Sequence, residues 1–444
     1  MRAIPMIRTT VVLFLALTTQ AFAEQPSAWL KSHIEELVAT YRDFHQHPEL
    51  SFEEKETAAK LATAWRKAGL QVTTNFGGHG VVGIAKNGPG PTVMIRTDLD
   101  ALPVVEQTGL VYASKVKTKD KDGNEVGVMH ACGHDIHITC IIGVAQYLME
   151  NKNLWSGTLM LIGQPAEERG RGAGMMLDAG LFTKFPKPDY ALALHVDSTL
   201  PTGKIGYRAG FLLANVDSVD VTMKGRGGHG AYPHTTIDPI VMAAHLVLDL
   251  QTLVSRENKP TDPAVITVGS IHGGTKHNVI GDTCHLQLTV RSYSTEVRNK
   301  LIDGIKRKAA AVAAGAGAPE PIVEVSEEST PALQNDEKLV ERLLPVWQQK
   351  LGQENVLSSE PSMGGEDFSR YGLAGVPICM FRLGAIEPKR LAGLARGGMS
   401  PPSLHSAVFF PDAEQAITTG ITAMSVATLD LFSSKAAPRD AKPK

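Results

Sequence analysis

The chain has 444 residues and four cysteines, with 43% hydrophobic residues, 20% charged residues and a formal net charge of −2 at pH 7. A chain of this length is too long to fold around one ordinary hydrophobic core, so we expect about two globular domains. The balanced charge, without a long basic run, argues against nucleic acid or an anionic membrane as a partner. The cysteines are scattered, which argues against a disulfide framework.

Residues 1–23 have the composition of a secretory signal peptide. Arg2 and Arg8 give a positive start, Val11–Leu17 is a short apolar run, and Ala21-Phe22-Ala23 is a typical cleavage site. The apolar run is much shorter than the ~20 residues of a membrane span. We therefore expect an exported protein, periplasmic or secreted, without membrane association after cleavage.

Beyond the signal peptide the sequence predicts an α/β domain in two parts, residues 24–214 and 327–432. Amphipathic patterns predict the first helices, and continuous apolar runs predict buried strands. The helices are expected at Trp29–Phe44 and Glu53–Ala68, and the strands around Val93–Ile95, Leu159–Ile162 and Tyr190–Leu194.

Polar residues follow each of these three strands. Asp98 and Asp100 follow the first, Glu167 and Glu168 the second, and His195 the third. Because ligands bind beyond the carboxyl ends of strands in open α/β sheets, we expect these side chains to face one site.

Between residues 215 and 326 apolar and polar positions alternate, which is typical of half-exposed strands. The predicted element order is β-α-β-β-α-β, the ferredoxin-like split βαβ unit. We therefore expect a small α+β domain, a lid or dimerisation domain, inserted into the larger one. Residues 433–444 are expected to form a disordered tail.

The loop Met129–Asp135 places Cys132 and His134 two positions apart, just before an apolar helical segment. A thiolate and an imidazole suit zinc or another borderline divalent metal. The alternative is a metal-free hydrolase with Cys132 as its nucleophile and a nearby histidine as its base. Chelation separates the two, because a thiol enzyme should survive it.

Glu167 and Glu168 are adjacent, so their side chains point in different directions from an extended turn. One can bind a metal while the other faces the water that the metal activates. A solvated surface pair is the simpler interpretation for two adjacent glutamates. It is weakened here because Gln164-Pro165 follows a buried strand directly.

Further polar residues complete the candidate site. His195 and His405 are lone histidines, and each taken alone is more typical of a structural residue, but both lie where an additional ligand is needed. Asp98 and Asp100 could bind metal or orient ligands from behind, and the second role is expected for Asp100. The glycine-rich segment around His229 lacks the Lys-Ser/Thr ending of a phosphate loop, so we expect it to hold His229 close to a ligand. Asn278 is a second candidate contact. Structural roles are expected for His45, His47, His130 and His137.

Together these residues resemble the M20 family of metallopeptidases and amidohydrolases, most closely its hippurate, N-acyl-amino-acid and auxin-conjugate amidohydrolase branch. The wider family has a His-x-Asp element where this chain has Asp98-Leu99-Asp100, and a bridging Asp near Cys132. That departure fits the branch. The motifs span nearly the whole chain in family order: Arg96–Pro103, Met129–Asp135, Gln164–Glu168, Leu194-His195, Gly228–His234, Asp238-Pro239, Gly365–Phe368 and Leu404-His405.

The resemblance implies a zinc-peptidase-like mixed sheet and two divalent metal ions. Zinc is the expected metal, and manganese, cobalt or nickel are the alternatives. It implies Glu167 as general base and acid. It implies His229 polarising the scissile carbonyl, in its own or a partner subunit, and Asn278 touching the substrate. The implied ligands are Cys132, His134, Glu168, His195 and His405.

The implied reaction is hydrolysis of the amide bond of small N-acyl or N-aroyl amino acids by a metal-activated water, in a homo-oligomer. Hippurate-like compounds and phenylalanine amides of the ochratoxin type are the expected substrates. A dipeptidase or carboxypeptidase is the alternative within the family. An exported ligand-binding protein without turnover is the alternative of another class, but it has no need of Glu167 beside Glu168.

Overall fold

The computed structural model describes residues 25–119 and 123–433. The predicted signal peptide, residues 120–122 and all of the predicted tail except Ser433 lie outside this range. None of the described helices is long and apolar enough to cross a membrane. All four cysteines are buried and unpaired.

The secondary structure follows the predicted elements closely. The helices are α1 Pro26–Gln46, α2 Lys55–Lys67, α3 His134–Glu150, α4 Gly172–Asp178, α5 Leu181–Lys184, α6 Pro239–Thr252, α7 Thr295–Gly315, α8 Glu337–Leu351, α9 Ser369–Leu373, α10 Pro388–Arg396 and α11 Ala413–Phe432. The strands are β1 Gln71–Thr73, β2 Val81–Asn87, β3 Thr92–Asp98, β4 Lys117–Lys119, β5 Glu125–Gly127, β6 Gly157–Gln164, β7 Tyr190–Pro201, β8 Ile205–Tyr207, β9 Gly210–Leu213, β10 Asn215–Lys224, β11 Gly228–His229, β12 Ala264–Gly273, β13 Val279–Ile280, β14 Thr283–Ser292, β15 Ile322–Val325, β16 Leu333–Asn335, β17 Val356–Ser358 and β18 Ile378–Ile386.

An eight-stranded mixed sheet lies at the centre of the large domain, in the order β1-β2-β6-β3-β7-β18-β8-β17. Strands β6, β3, β7 and β18 run parallel, and each contains a buried apolar run, because helices cover both faces of the sheet. Helices α1, α2, α3, α8 and α11 pack on one face, and α4, α5 and α9 on the other. The carboxyl ends of the four parallel strands therefore meet at one edge.

A four-stranded antiparallel sheet, β12-β14-β10-β15, forms a second unit with its own apolar core under α6 and α7. We call residues 215–325 the inserted unit, because β9 before it and β16 after it pair with each other. Its strands alternate between buried and exposed positions, since only one face is covered. The element order is β-α-β-β-α-β. The predicted fold class, a mixed-sheet α/β domain with an inserted ferredoxin-like α+β unit, is confirmed.

Candidate metal centre

The loop before α3 is folded so that Cys132 and His134 face the same space. Gly133 between them has a φ of +78°, and a Cβ at this position would lie 2.6 Å from Val196 Cγ2. Only glycine fits this conformation without strain. His134 is buried, and its Nδ1 donates a hydrogen bond to the carbonyl oxygen of Asp100 at 2.7 Å. The ring is therefore oriented with its Nε2 toward Cys132 and its neighbours.

The five predicted metal ligands converge at this point. Ligand atoms of Cys132, His134 and His195 lie within 4.8 Å of one another, and so do those of Cys132, Glu168 and His405. His405 Nε2 is 3.4 Å from Glu168 Oε1, and Cys132 Sγ is 3.6 Å from His195 Nε2. Two overlapping groups that share a ligand suit two neighbouring cations.

The chemistry of these atoms fits divalent metal ions. His134 Nε2 and Glu168 Oε1 are buried without a hydrogen-bond partner among the described residues, whereas most buried polar atoms have one. Burial holds the pKa of His195 well below its usual range, which favours the neutral imidazole that a metal requires. Burial alone would also lower the pKa of His134, but Asp98, Asp100 and Glu168 raise it to about 10, so a cation bound there would replace a proton among the same carboxylates. Thiolate, imidazole and carboxylate donors together suit zinc or a similar ion.

His137 and Asp98 lie next to the ligands but are engaged by protein groups. His137 Nδ1 donates to Asp98 Oδ1 at 2.8 Å, and its Nε2 accepts from the amide of Val196 at 2.9 Å. Both ring nitrogens are thus used, which is the structural role expected for His137. The other oxygen of Asp98 accepts from Arg96 at 2.7 Å. The sequence left the role of Asp98 open, and the structure makes it a support for His137.

Asp100 supports two ligands from behind. Besides its carbonyl bond to His134, its Oδ2 accepts from Ser51 Oγ at 2.6 Å and from the amide of Glu168 at 2.9 Å. Burial alone would raise the pKa of Asp100, but the hydrogen bonds from His134 and Ser51 outweigh burial and lower it. The ionised carboxylate therefore orients the ligands without occupying a ligand position itself.

The turn that carries Glu167 and Glu168 is fixed by a buried carboxyl group. Ala166, the residue before them, has a φ of +49°, which costs about 1–2 kcal/mol for a residue with a side chain. Its amide donates to Glu54 Oε1 at 2.7 Å, and the same oxygen accepts from the amide of Phe52 at 2.9 Å. Glu54 is completely buried. Burial raises the pKa of Glu54 to about 8, and its carboxyl oxygen still accepts both amide hydrogen bonds. The carboxyl group of Glu54 thus compensates for the strained backbone at Ala166.

Glu167 occupies an acidic and nearly closed environment. Its carboxylate oxygens lie within 4.8 Å of those of Glu366 and Asp367. Burial raises the pKa of Glu167 well above its usual range, and the charges of Glu366 and Glu168 add to the rise. Arg96 donates to Glu366 at 2.7 Å and to Asp367 at 3.2 Å, which holds these acids together. The result is a carboxyl group beside the ligands that takes up a proton readily.

His405 lies at the open side of the cluster. Its backbone φ is +67°, and its amide donates to the carbonyl oxygen of Ala131 at 2.9 Å, which ties its loop to that of Cys132. Its side chain is 54% exposed, so the cluster is accessible from this side.

A cavity of about 610 Å³ opens above the cluster, between the large domain and the inserted unit. Its size suits a small amide and its open mouth suits exchange of substrate. Cys132, Glu167, Glu168, His195 and His405 form its floor, and Val216, Ser218 and Arg291 of the inserted unit form the opposite wall.

His229 and Asn278 do not join this cluster. They lie at the tip of the inserted unit, where β11 pairs with β13 and the amide of Gly230 donates to the carbonyl oxygen of Asn278 at 2.9 Å. Both residues are exposed, and neither lines the cavity. The structure therefore places the two predicted substrate contacts near each other but apart from the ligands of the same chain.

Three residues of the site were missed from the sequence: Glu54, Arg291 and Arg382. Arg382 carried a detectable signal, because it is a charged residue inside the buried apolar run of β18. Arg291 lies in a strand that alternates between buried and partly exposed positions, where an arginine is unremarkable. Glu54 resembles any acidic residue at the start of a helix, and nothing in the sequence connects it to the turn at Ala166.

Comparison with known proteins agrees with this geometry. Residues 94–396 match Peptidase family M20/M25/M40. Thermostable carboxypeptidase 1 from Saccharolobus solfataricus is 36% identical over 369 residues, which cover 81% of this chain and 90% of that protein. N-acetyldiaminopimelate deacetylase from Limosilactobacillus reuteri is 35% identical over 399 residues, which cover 88% and 97%.

A solved structure is also similar. The Bacillus subtilis YXEP protein, described as a dinuclear metal binding peptidase from the M20 family, matches with a TM-score of 0.72 and 30% identity over 90% of this chain and 98% of that one. The residues that would hold two divalent ions are present here in one cluster. The chain belongs to Peptidase family M20/M25/M40 and is a metal-dependent amidohydrolase.

Proposed function

We propose that this enzyme hydrolyses the amide bond between an acyl or aroyl group and the nitrogen of an amino acid. One arrangement carries the proposal: five ligand side chains and the carboxyl group of Glu167 meet at the floor of a cavity of about 610 Å³. The names of two relatives, a carboxypeptidase and an N-acetyldiaminopimelate deacetylase, describe amide bonds of this kind.

Two zinc ions are the metals that we propose, with manganese, cobalt or nickel as alternatives. Cys132, His134, Glu168, His195 and His405 would hold them, and ions bound there would polarise the scissile carbonyl and make the attacking water more acidic. Asp100 and His137 hold the ligands and their neighbours in the required orientation.

Glu167 is the residue placed to move protons. It lies beside the ligand cluster and faces the cavity. Its carboxylate accepts a proton from the attacking water and then donates it to the amide nitrogen as the carbon–nitrogen bond breaks. Arg96, Glu366 and Asp367 form a hydrogen-bonded network beside this carboxyl group.

The alternative cysteine hydrolase is disfavoured by the environment of Cys132. Burial and the neighbouring carboxylates of Glu168 and Glu167 raise the pKa of its thiol well above the usual range. A nucleophilic cysteine needs the opposite shift, because the thiolate is the reactive form. Cys132 therefore fits a metal ligand better than a nucleophile.

His229 and Asn278 are proposed to act on substrate bound by a second copy of the chain. They are exposed and lie away from their own cavity. The inserted unit also exposes large apolar side chains, which a homo-oligomer would cover. In that assembly His229 polarises the scissile carbonyl and Asn278 contacts the substrate. The apolar residues are Ile240, Val241 and Leu248 on α6 and Ile271 on the edge strand β12.

The test is a substrate panel on protein of known metal content. It contains hippurate, N-acetyl amino acids, phenylalanine amides of the ochratoxin type and dipeptides, and it measures the free amino acid released. We expect turnover of N-acyl amino acids that is lost after exhaustive dialysis against EDTA and restored by zinc. Full activity after metal removal would refute the metal mechanism. Faster turnover of dipeptides would favour the peptidase alternative, and binding without product would favour a binding protein.

Export is part of the same proposal. Protein expressed with residues 1–23 should be recovered outside the cytoplasm with Glu24 at its N-terminus, as N-terminal sequencing would show. Recovery in the cytoplasm with Met1 retained would contradict it.

A further inference from the structure

Arg382 stands where two cavities meet. It lies on β18 directly opposite His195 of the parallel strand β7, so the two side chains project from the same face of the sheet. It lines the cavity above the metal ligands and also a second cavity of about 570 Å³. We call this second space the side cavity. Residues 196–200 and 357–362 form its other walls, together with Leu404.

Among the described residues the guanidinium of Arg382 has no anionic partner, unlike that of Arg96. Arg96 is buried on the same sheet and donates to Asp98, Glu366, Asp367 and Gln164. The side chain of Arg382 makes no hydrogen bond or ion pair with any described residue. Burial lowers the pKa of Arg382, whereas the charges of Asp197 and Glu366 act in the other direction from beyond ion-pair distance. Arg382 is partly exposed to the two cavities, so an anion that enters them can reach a guanidinium that no protein hydrogen bond engages.

The walls of the side cavity restrict where an anion can bind. Asp197 and Glu360 also line this space, and they would repel a carboxylate. Asp197 already accepts hydrogen bonds from the amide and hydroxyl of Thr199, at 2.8 Å and 2.7 Å. The favourable position is therefore at the Arg382 end, where Ser362 and Leu404 also line both cavities.

We infer that the side cavity is a substrate subsite in which Arg382 binds a carboxylate of the substrate other than the α-carboxylate. Arg291, on the opposite wall of the cavity above the metal ligands, is available for the α-carboxylate. This inference rests on the proposed amide hydrolysis. A guanidinium fork pairs with both oxygens of a carboxylate, which gives selectivity as well as affinity. The substrate class is then N-acyl amino acids with two carboxylates. The second carboxylate lies either on the acyl group, as in N-succinyl amino acids, or on the amino-acid side chain, as in N-acyl glutamates.

Matched substrate pairs test the inference and separate the two sources. N-succinyl-alanine is compared with N-butyryl-alanine, and N-acetyl-glutamate with N-acetyl-glutamine, on metal-loaded wild type and R382Q. We expect the wild type to prefer the charged member of one pair. R382Q should lower kcat/KM for that compound about 30- to 100-fold, mainly through KM, and leave the neutral member nearly unchanged. R382K keeps the charge and should lose less.

The control variant is R390Q. The guanidinium of Arg390 donates to the carbonyl oxygen of Phe410, and Arg390 lines neither cavity. It should retain the wild-type preference. Calorimetric binding of glutarate compared with butyrate gives a readout without turnover, and R382Q should lose the difference between the two.

Other outcomes would overturn the inference. Equal loss for the charged and neutral members in R382Q would mean that Arg382 binds the α-carboxylate or supports the fold. No preference of the wild type in either pair, together with equal binding of glutarate and butyrate, would exclude an anion subsite. Loss of glutarate binding in R382Q, with no N-acyl amino acid hydrolysed by the wild type, would support the subsite and refute the proposed function instead.

Discussion

The predicted metal ligands and the predicted substrate contacts differ in how completely one chain assembles them. Cys132, His134 and Glu168 come from loops at one edge of the large sheet and lie together. His229 and Asn278 come from the tip of the inserted unit and remain exposed. The carboxyl ends of parallel strands meet wherever the sheet forms, so a site built on them is complete in one domain. Substrate contacts made by residues of an inserted unit depend on the position of that unit relative to the cavity that binds the substrate.

The largest loss of activity is expected on substitution of Glu167 or Glu168, and it tests the site at the edge of the large sheet. Glu167→Ala should lower kcat by about 10³- to 10⁴-fold with both metals retained, because it removes only the proton carrier. Glu168→Ala should lose metal as well as activity, because Glu168 lies in the group with Cys132 and His405. Steady-state kinetics and metal analysis of the same preparations measure both. Normal metal content in Glu168→Ala and loss in Glu167→Ala would mean that the two roles are exchanged.

The next largest loss of activity is expected on substitution of His229 in the inserted unit. His229→Ala should lower kcat by about 10²- to 10³-fold if its imidazole stabilises the developing negative charge on the carbonyl oxygen. Metal content should not change, since His229 lies apart from the ligands. An unchanged kcat would contradict the role of His229.

Mixed oligomers decide in which subunit His229 acts. Glu167→Ala and His229→Ala chains are each nearly inactive, but a refolded mixture contains sites with one intact residue from each chain. Recovery of activity in the mixture would show that His229 serves a partner's cavity. A mixture as inactive as its components would show that it serves its own chain, after a movement of the inserted unit.

The sequence predicted the parts of the site that depend on local pattern, and missed those that depend on distant contacts. Strand ends located Glu167 and His195, and the spacing of Cys132 and His134 indicated a metal loop. The sequence could not show what separates His134 from His137 on the same helix. Only the second ring has both nitrogens bound, by Asp98 and the amide of Val196, and these partners come from other strands.

Glu54 shows that the completed site also depends on support from distant residues. Its carboxylate is 112 positions from Ala166 in sequence, yet it binds the amide of that strained residue. Glu54→Ala should lower kcat about 10- to 100-fold without loss of metal, because small shifts of a catalytic group reduce the rate strongly. Glu53→Ala is the matched control, since Glu53 is exposed.

A second substitution, at Ala166, distinguishes a role of Glu54 in positioning the catalytic turn from a role in stabilising the fold. Glycine adopts positive φ without strain, so Ala166→Gly should restore part of the activity lost in Glu54→Ala. The same double variant would recover nothing if Glu54 served only to stabilise the fold. Comparison of kcat in the two single variants and the double variant measures this coupling.

The smallest expected effect is on stability, and it again compares the large domain with the inserted unit. His45 is buried near α3, at 2.7 Å from Asp135 and 3.1 Å from Glu106. Burial alone would lower the pKa of His45, but hydrogen bonds with Asp135 and Glu106 raise it to about 9. This pKa lies above the ordinary value of about 6.5. The contribution to stability is therefore complete below about pH 6.5 and is lost as the pH rises through about 9.

Between about pH 7 and pH 8 the free energy of unfolding should fall by about 1 kcal/mol more in the wild type than in His45→Gln. His285 of the inserted unit gives the comparison. It pairs with Asp220 at 3.0 Å, but its side chain is 40% exposed, and exposed pairs contribute little. His285→Gln should therefore keep the wild-type pH slope in urea unfolding. A His45→Gln slope equal to that of the wild type would mean that the buried histidine is uncharged in the folded protein across this pH range.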